Sequence, residues 1–166
     1  MPKGIIMRRD CLEQIVQWKG KRNRKPLVLM GARQVGKTWL MKEFGKQAYE
    51  KTVYINFDSN SRMAELFSSD LEIGRIIMGL ELYSDVKITP ENTLIIFDEV
   101  QIFPQARAAI KYLVADGRYD YIETGSLISI RKNVQGIVIP SEEMQLTLQP
   151  LDFEEFLWAT GLLKLS

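Results

Sequence analysis

Short apolar runs alternate along the chain with longer amphipathic segments. The runs are rich in β-branched and aromatic residues, as strands are, and the longer segments carry apolar residues three and four positions apart, as helices do. We predict strands over 26–30, 52–58, 93–97, 119–123 and 142–149, and helices over 8–18, 37–48, 62–67, 70–83, 104–115 and 153–159. The turn 59–61, Asp70 and Asp152 are predicted to cap helices, and Gly117 to end one. This alternation indicates an α/β fold with a mainly parallel sheet.

The loop after the first predicted strand has the strongest chemical signature. It reads G-x-x-x-x-G-K-T over 31–38, the pattern of a phosphate-binding loop, and it stands between a strand and a helix, as that motif requires. Gly31 and Gly36 let backbone N–H groups approach a phosphate, Lys37 can reach the β- and γ-phosphates, and Thr38 can ligate Mg²⁺. The predicted nucleotide-binding residues are Gly31, Ala32, Arg33, Gln34, Val35, Gly36, Lys37, Thr38 and Trp39.

Two acidic residues, Asp98 and Glu99, follow the third predicted strand. Ligands of open α/β sheets gather at the carboxyl ends of the strands, so this pair is placed to serve a nucleotide. Asp98 is the predicted metal residue together with Thr38, and Glu99 could orient or deprotonate an attacking water. The alternative is a strand that ends in solvated acids. The phosphate-binding motif upstream favours the first interpretation.

Hydroxyl side chains stand at the end of the fourth predicted strand, at Thr124 and Ser126. They could bond a γ-phosphate or the attacking water. The pattern by itself favours the alternative, a strand-to-helix turn that Ser126 caps.

Composition narrows the chemistry. The chain has 166 residues, a net charge of +1, one cysteine and no histidine. This length suits one domain with its own core. Without histidine, Ser-His-Asp and Cys-His catalysis and histidine-ligated metals are excluded. Apolar runs fall short of a membrane span and charge interrupts the N-terminus early, so we expect a cytoplasmic protein. Five basic residues over 19–25 could contact nucleic acid or lipid, but without interleaved aromatic residues a solvated loop is favoured.

In the segments 29–38, 96–101, 124–126 and 150–157 the sequence resembles prokaryotic ATPases of the AAA+ superfamily, many of them described only as ATP-binding proteins with a C-terminal domain of unknown function. The resemblance covers about residues 5–160. It implies a three-layer P-loop NTPase with a five-stranded sheet, ATP at Lys37 and Thr38, Mg²⁺ at Asp98 and water activation at Glu99. It also implies a sensor role for Thr124 and Ser126. The candidate catalytic residues are then Glu99, Lys37, Thr124 and Ser126.

The resemblance also implies adenine packing near Ile6–Arg9, and it shows two departures. Relatives typically carry a Gly-Arg pair before the last strand, whereas here Gly136 precedes Ile137. A trans-acting arginine is therefore not matched; Arg131 is the nearest substitute, and a solvated arginine is the alternative. Relatives continue beyond residue 166, so we expect a single ATPase core that is truncated before its lid and C-terminal domain. The leucines over 162–165 fit such a truncation or a surface for a partner.

Two functions follow. The first is Mg²⁺-dependent hydrolysis of ATP to ADP and phosphate. The second is a nucleotide-binding regulatory switch with little hydrolysis until its C-terminal domain or a partner completes the site. Phosphotransfer to a small molecule is weaker, because the acid pair suits water as the acceptor and no arginine-rich lid is evident. The expected partners are ATP and either a second copy of the chain or another protein; only the basic loop supports nucleic acid.

Overall fold

A computed structural model of the chain describes residues 9–21, 27–30, 37–125 and 144–147. The elements, in chain order, are α1 (Arg9–Lys19), β1 (Leu27–Met30), α2 (Lys37–Ala48), β2 (Lys51–Asn56), α3 (Ser61–Ser68), α4 (Ile73–Ser84), β3 (Thr93–Asp98), a 3₁₀ turn (Val100–Ile102), α5 (Pro104–Asp116), β4 (Asp120–Gly125) and β5 (Met144–Thr147). Each helix and strand lies within a predicted segment or overlaps one closely, whereas the 3₁₀ turn was not predicted. The helix predicted over 153–159 falls outside the described residues.

The five strands form one sheet in the order β2-β3-β4-β1-β5, and every neighbouring pair is parallel. The prediction of an α/β fold with a mainly parallel sheet is confirmed. β4 lies between β1 and β3, so the strand that precedes the phosphate-binding motif and the strand that ends in the acid pair are not neighbours. Because all strands run the same way, their carboxyl ends share one edge of the sheet.

Apolar side chains cover both faces of the sheet. Ile95 and Phe97 of β3 belong to a core shared with α3, α4 and α5. Leu94 and Ile96, the alternate residues of the same strand, belong to a second core with α1 and α2. All six residues of β3 are buried, which explains why this strand reads as a continuous apolar run rather than an alternating one. The sheet is therefore the middle of three layers.

Helix ends follow the predicted caps at two of three described places. Asn60 caps α3 by accepting from the N–H of Met63 at 3.2 Å, and Gly117 ends α5 with a φ of 75°. The prediction of Asp70 as the cap of α4 is wrong, because Glu72 accepts from the first N–H groups of that helix. Asp70 instead accepts from the N–H of Glu72 and from Arg75. The described helices reach at most thirteen residues, and none is long and apolar enough to cross a membrane.

Candidate nucleotide and metal site

The candidate site lies at the carboxyl edge of the sheet, where α2 begins. Lys37 is the first residue of α2 and is only 5 % exposed. Thr38 follows it half-buried, and Trp39 is exposed. Residues 31–36 of the predicted phosphate-binding loop lie outside the described residues, as do Ser126, Arg131 and the segment 6–8.

Asp98 is the centre of the described part of the site. It ends β3, and it is 3 % exposed. The hydroxyl of Thr38 donates to Asp98 Oδ2 at 2.7 Å, although the two residues are 60 positions apart. The structure therefore brings the two residues that the sequence predicts as metal ligands into direct contact.

Thr124 joins the other oxygen of the same carboxylate. It lies next to the end of β4, is fully buried, and its hydroxyl donates to Asp98 Oδ1. The hydroxyl oxygen of Thr124 in turn accepts from the backbone N–H of Glu99 at 3.1 Å. Because β4 lies beside β3, its end is well placed to bind both acids at once. The Thr124 hydroxyl thus bonds two protein groups, and its contact with phosphate or water stays a prediction.

Tyr54 is the site residue that sequence reasoning missed. It lies on β2, and its hydroxyl donates to Asp98 Oδ2, the atom that Thr38 also contacts. Burial, and then the bond to Asp98 and the charge of that carboxylate, raise the pKa of the Tyr54 phenol above its usual range. The phenol therefore keeps its proton and acts as a donor. In the sequence, the only available signal is an aromatic hydroxyl within a strand, which has many ordinary uses.

Glu99 stands on unusual backbone. Its φ and ψ are 58° and 39°, the left-handed region that non-glycine residues seldom adopt and that is enriched at functional sites. The 3₁₀ turn follows at once, and Gln101 on that turn donates its side-chain N–H to Glu99 Oε2. Gln101 is buried and Glu99 is half-buried. The carboxylate of the second acid is thus bound by a side-chain amide, whereas three hydroxyls bind the carboxylate of Asp98.

The donor set at Asp98 suits a hard divalent cation. Thr38 and Asp98 offer a hydroxyl and a carboxylate oxygen, the ligand types that Mg²⁺ prefers, and Mg²⁺ bound to nucleotides takes few protein ligands. Within the described ranges, no three Asp, Glu or Cys side chains cluster as a metal site of their own. A cation here would therefore complete its shell with phosphate and water oxygens.

Comparison with known families identifies the kind of domain. A family model described as "AAA domain" matches residues 23–157, which is most of the chain. The chain belongs to the AAA domain family. The resemblance to AAA+ P-loop ATPases that the sequence segments indicated is thereby confirmed, and nucleotide binding is the property that this membership supports. No curated protein sequence matches this AAA domain.

Solved structures resemble the fold at low sequence identity. A structure of the Aeropyrum pernix ORC1 protein in complex with DNA matches with a TM-score of 0.62 and 13% identity, over 97% of this chain and 50% of that one. The Caenorhabditis elegans protein PCH-2 matches with a TM-score of 0.52 and 15% identity, over 89% of this chain and 44% of that one. This AAA domain therefore spans about half the length of these two proteins, and the likeness shows the fold.

Proposed function

We propose that this AAA domain binds ATP with Mg²⁺ and hydrolyses it to ADP and phosphate. The observation that carries the proposal is the contact between Thr38 and Asp98, beside the buried Lys37 at the N-terminus of α2. A helix N-terminus favours an anion, and the motif residues 31–36 precede it directly. Nucleotide, lysine and metal ligands would then meet at one edge of the sheet.

Each residue has a separate part in this proposal. Lys37 offsets negative charge on the transferring phosphoryl group, and Thr38 and Asp98 hold the metal. When bound, Mg²⁺ supplies further positive charge beside the phosphate oxygens. Glu99 orients the attacking water and accepts its proton. The roles of residues 31–36, Trp39 and Ser126 remain predictions from sequence.

The proposal is tested by separating binding from turnover. Glu99→Gln keeps the shape of the side chain but removes the base, so we expect Mg-ATP affinity within about twofold of the parent. Phosphate release should fall by at least about 100-fold, the range that a general base contributes. Calorimetry measures the first quantity and a phosphate assay the second. Lys37→Ala is the control, in which Mg-ATP binding itself should be lost. Unchanged turnover in Glu99→Gln would refute the assigned role.

The regulatory switch is the second candidate, and one observation favours it. The side chain of Gln101 donates to Glu99 Oε2, so one oxygen of the acid is engaged by the protein itself. A chain that binds Mg-ATP but releases phosphate only when a C-terminal domain, a second copy or another protein is present would support the switch. Brisk turnover by the isolated chain would exclude it.

Partners are proposed on narrower grounds. The solved ORC1 structure contains DNA, and this chain carries five basic residues over 19–25, the first of which, Lys19, ends α1. We propose duplex DNA as a partner to be tested by fluorescence anisotropy at low and moderate salt. Binding through phosphate contacts should weaken steeply as salt rises. No anisotropy change at low salt would remove DNA from consideration. We also propose a cytoplasmic location, from the short apolar runs and the early charges of the sequence.

A further inference from the structure

Tyr54 reaches the metal residue from a neighbouring strand. In the register of β2 and β3, Asn56 is the partner of Asp98, and Tyr54 precedes Asn56 by two positions. Side chains two positions apart share a face of the sheet, so Tyr54 lies diagonally across from Asp98. Its hydroxyl donates to Oδ2, the same oxygen that accepts from Thr38.

Asp98 is nearly buried, so protein donors stand where water would otherwise solvate its charge. Three hydroxyls do this, those of Thr38, Tyr54 and Thr124. Thr38 is the predicted ligand of the metal itself. The other two hydroxyls, of Tyr54 at Oδ2 and Thr124 at Oδ1, therefore fix the direction of the carboxylate.

The Tyr54 ring is itself held in place. Lys42, one turn beyond Thr38 on α2, places its Nζ 4.0 Å from the centroid of the ring. A cation over an aromatic face is attracted to it and restricts how the ring can turn. Tyr54 therefore connects α2, β2 and β3 at the carboxylate that is the predicted metal ligand.

We infer that Tyr54 is a positioning residue for the metal: its hydroxyl holds the Asp98 carboxylate in the orientation that binds the divalent cation of the nucleotide complex. The inference rests on the proposed function. Groups that orient a metal ligand contribute about 10- to 100-fold to metal affinity. Loss of the hydroxyl should lower the affinity for the divalent cation and leave the affinity for nucleotide without metal unchanged.

The experiment uses Tyr54→Phe in the full chain, which keeps the ring and its contact with Lys42. Mn²⁺ is the probe. Because ATP also binds Mn²⁺ in solution, the affinity of Mn²⁺ for the protein–ATP complex is obtained by linkage, from calorimetric ATP affinities measured with Mn²⁺ and in EDTA. We expect Mn²⁺ affinity to fall by about 10-fold or more. ATP affinity in EDTA should stay within about twofold of the parent, which also shows that the variant is folded.

Two further variants make the result decisive. Tyr49→Phe is the matched control, because the Tyr49 hydroxyl, between α2 and β2, donates to Asp120 Oδ2 at the start of β4 at 2.6 Å, the same kind of bond away from the site. Its Mn²⁺ affinity should not change. Asp98→Asn should lose Mn²⁺ binding. If Asp98→Asn loses the metal while Tyr54→Phe binds it like the parent, the inference is overturned and the proposed function stands. If Tyr54→Phe loses ATP affinity in EDTA as much as Mn²⁺ affinity, its role is structural. If the parent protein binds no Mn²⁺ in the presence of ATP, both the inference on Tyr54 and the proposed function are refuted.

Discussion

At the scale of single residues, Glu99 combines two features that bear on catalysis. Its backbone is left-handed, which costs a non-glycine residue free energy of order 1 kcal/mol or more, and its side chain accepts from Gln101. The N–H of Glu99 is held by Thr124, so the backbone conformation is fixed from the neighbouring strand. Gln101 is then the group that fixes the direction of the carboxylate.

Gln101→Ala should lower phosphate release about tenfold while Mg-ATP affinity stays within about twofold. The reason is that an unheld carboxylate spends less time where it can orient water. Rapid-quench measurement of one turnover at saturating Mg-ATP reports this step. A rise in turnover would instead show that Gln101 restrains Glu99 in the resting protein, and it would favour the regulatory switch.

Much of this residue-level arrangement follows from sequence, and part does not. Thr38, Asp98, Glu99 and Thr124 all stand near the carboxyl end of a predicted strand, and a parallel sheet must bring such residues to one edge. Tyr54 was missed because its contact depends on β2 lying beside β3, and hydrophobic periodicity does not predict the order of strands in a sheet. The contact of Gln101 depends likewise on a 3₁₀ turn that no sequence pattern indicated.

At the scale of elements, α2 packs on the sheet through a glycine. Gly45 is buried, and a Cβ built there would lie 2.5 Å from Thr52 Oγ1 and 3.0 Å from Thr52 Cγ2. Thr52 is β-branched and belongs to β2, so it cannot swing away as a long side chain would. The close approach of helix and strand, which also sets where Lys37 and Thr38 lie, therefore depends on the missing side chain.

Gly45→Ala should lower the free energy of unfolding by up to about 2 kcal/mol. Overpacking costs about 1–3 kcal/mol, and the better helix propensity of alanine returns about 1 kcal/mol. Urea denaturation measures the change. In a Thr52→Ala background the same substitution should be neutral or stabilising, because the clashing atoms are gone. Equal losses in both backgrounds would contradict the packing explanation.

At the scale of the whole molecule, stability should depend on pH through a buried phenol. Tyr121 is buried in the core, where it stacks on Phe97, and burial raises its pKa above the usual range. No residue in the described part of the chain bonds its hydroxyl. The folded protein therefore keeps this proton at a pH where the unfolded chain releases it. The contribution is fully present below the ordinary tyrosine pKa and is lost as pH rises above it.

Tyr121→Phe should be neutral or up to about 1 kcal/mol stabilising at neutral pH, because it removes a buried polar group. Between about pH 10 and pH 11 the variant should gain about 1 kcal/mol relative to the parent, following the linkage slope for one proton. Urea denaturation at several pH values measures this difference. Parallel pH curves for the two proteins would show that Tyr121 titrates alike in both states.

The placement of β1 has a consequence for synthesis on the ribosome. β1 pairs only with β4 and β5 among the described strands, and these begin at Asp120 and Met144, more than 90 residues later. A nascent chain that has emerged as far as the acid pair can already pair β2 with β3, but β1 still lacks both neighbours. Until residues 120–147 leave the exit tunnel, the apolar β1 segment has no partner strand on either side. Its unpaired backbone groups and apolar side chains then favour aggregation. A chaperone that covers apolar segments would therefore be needed most early in translation, before the nucleotide site can form.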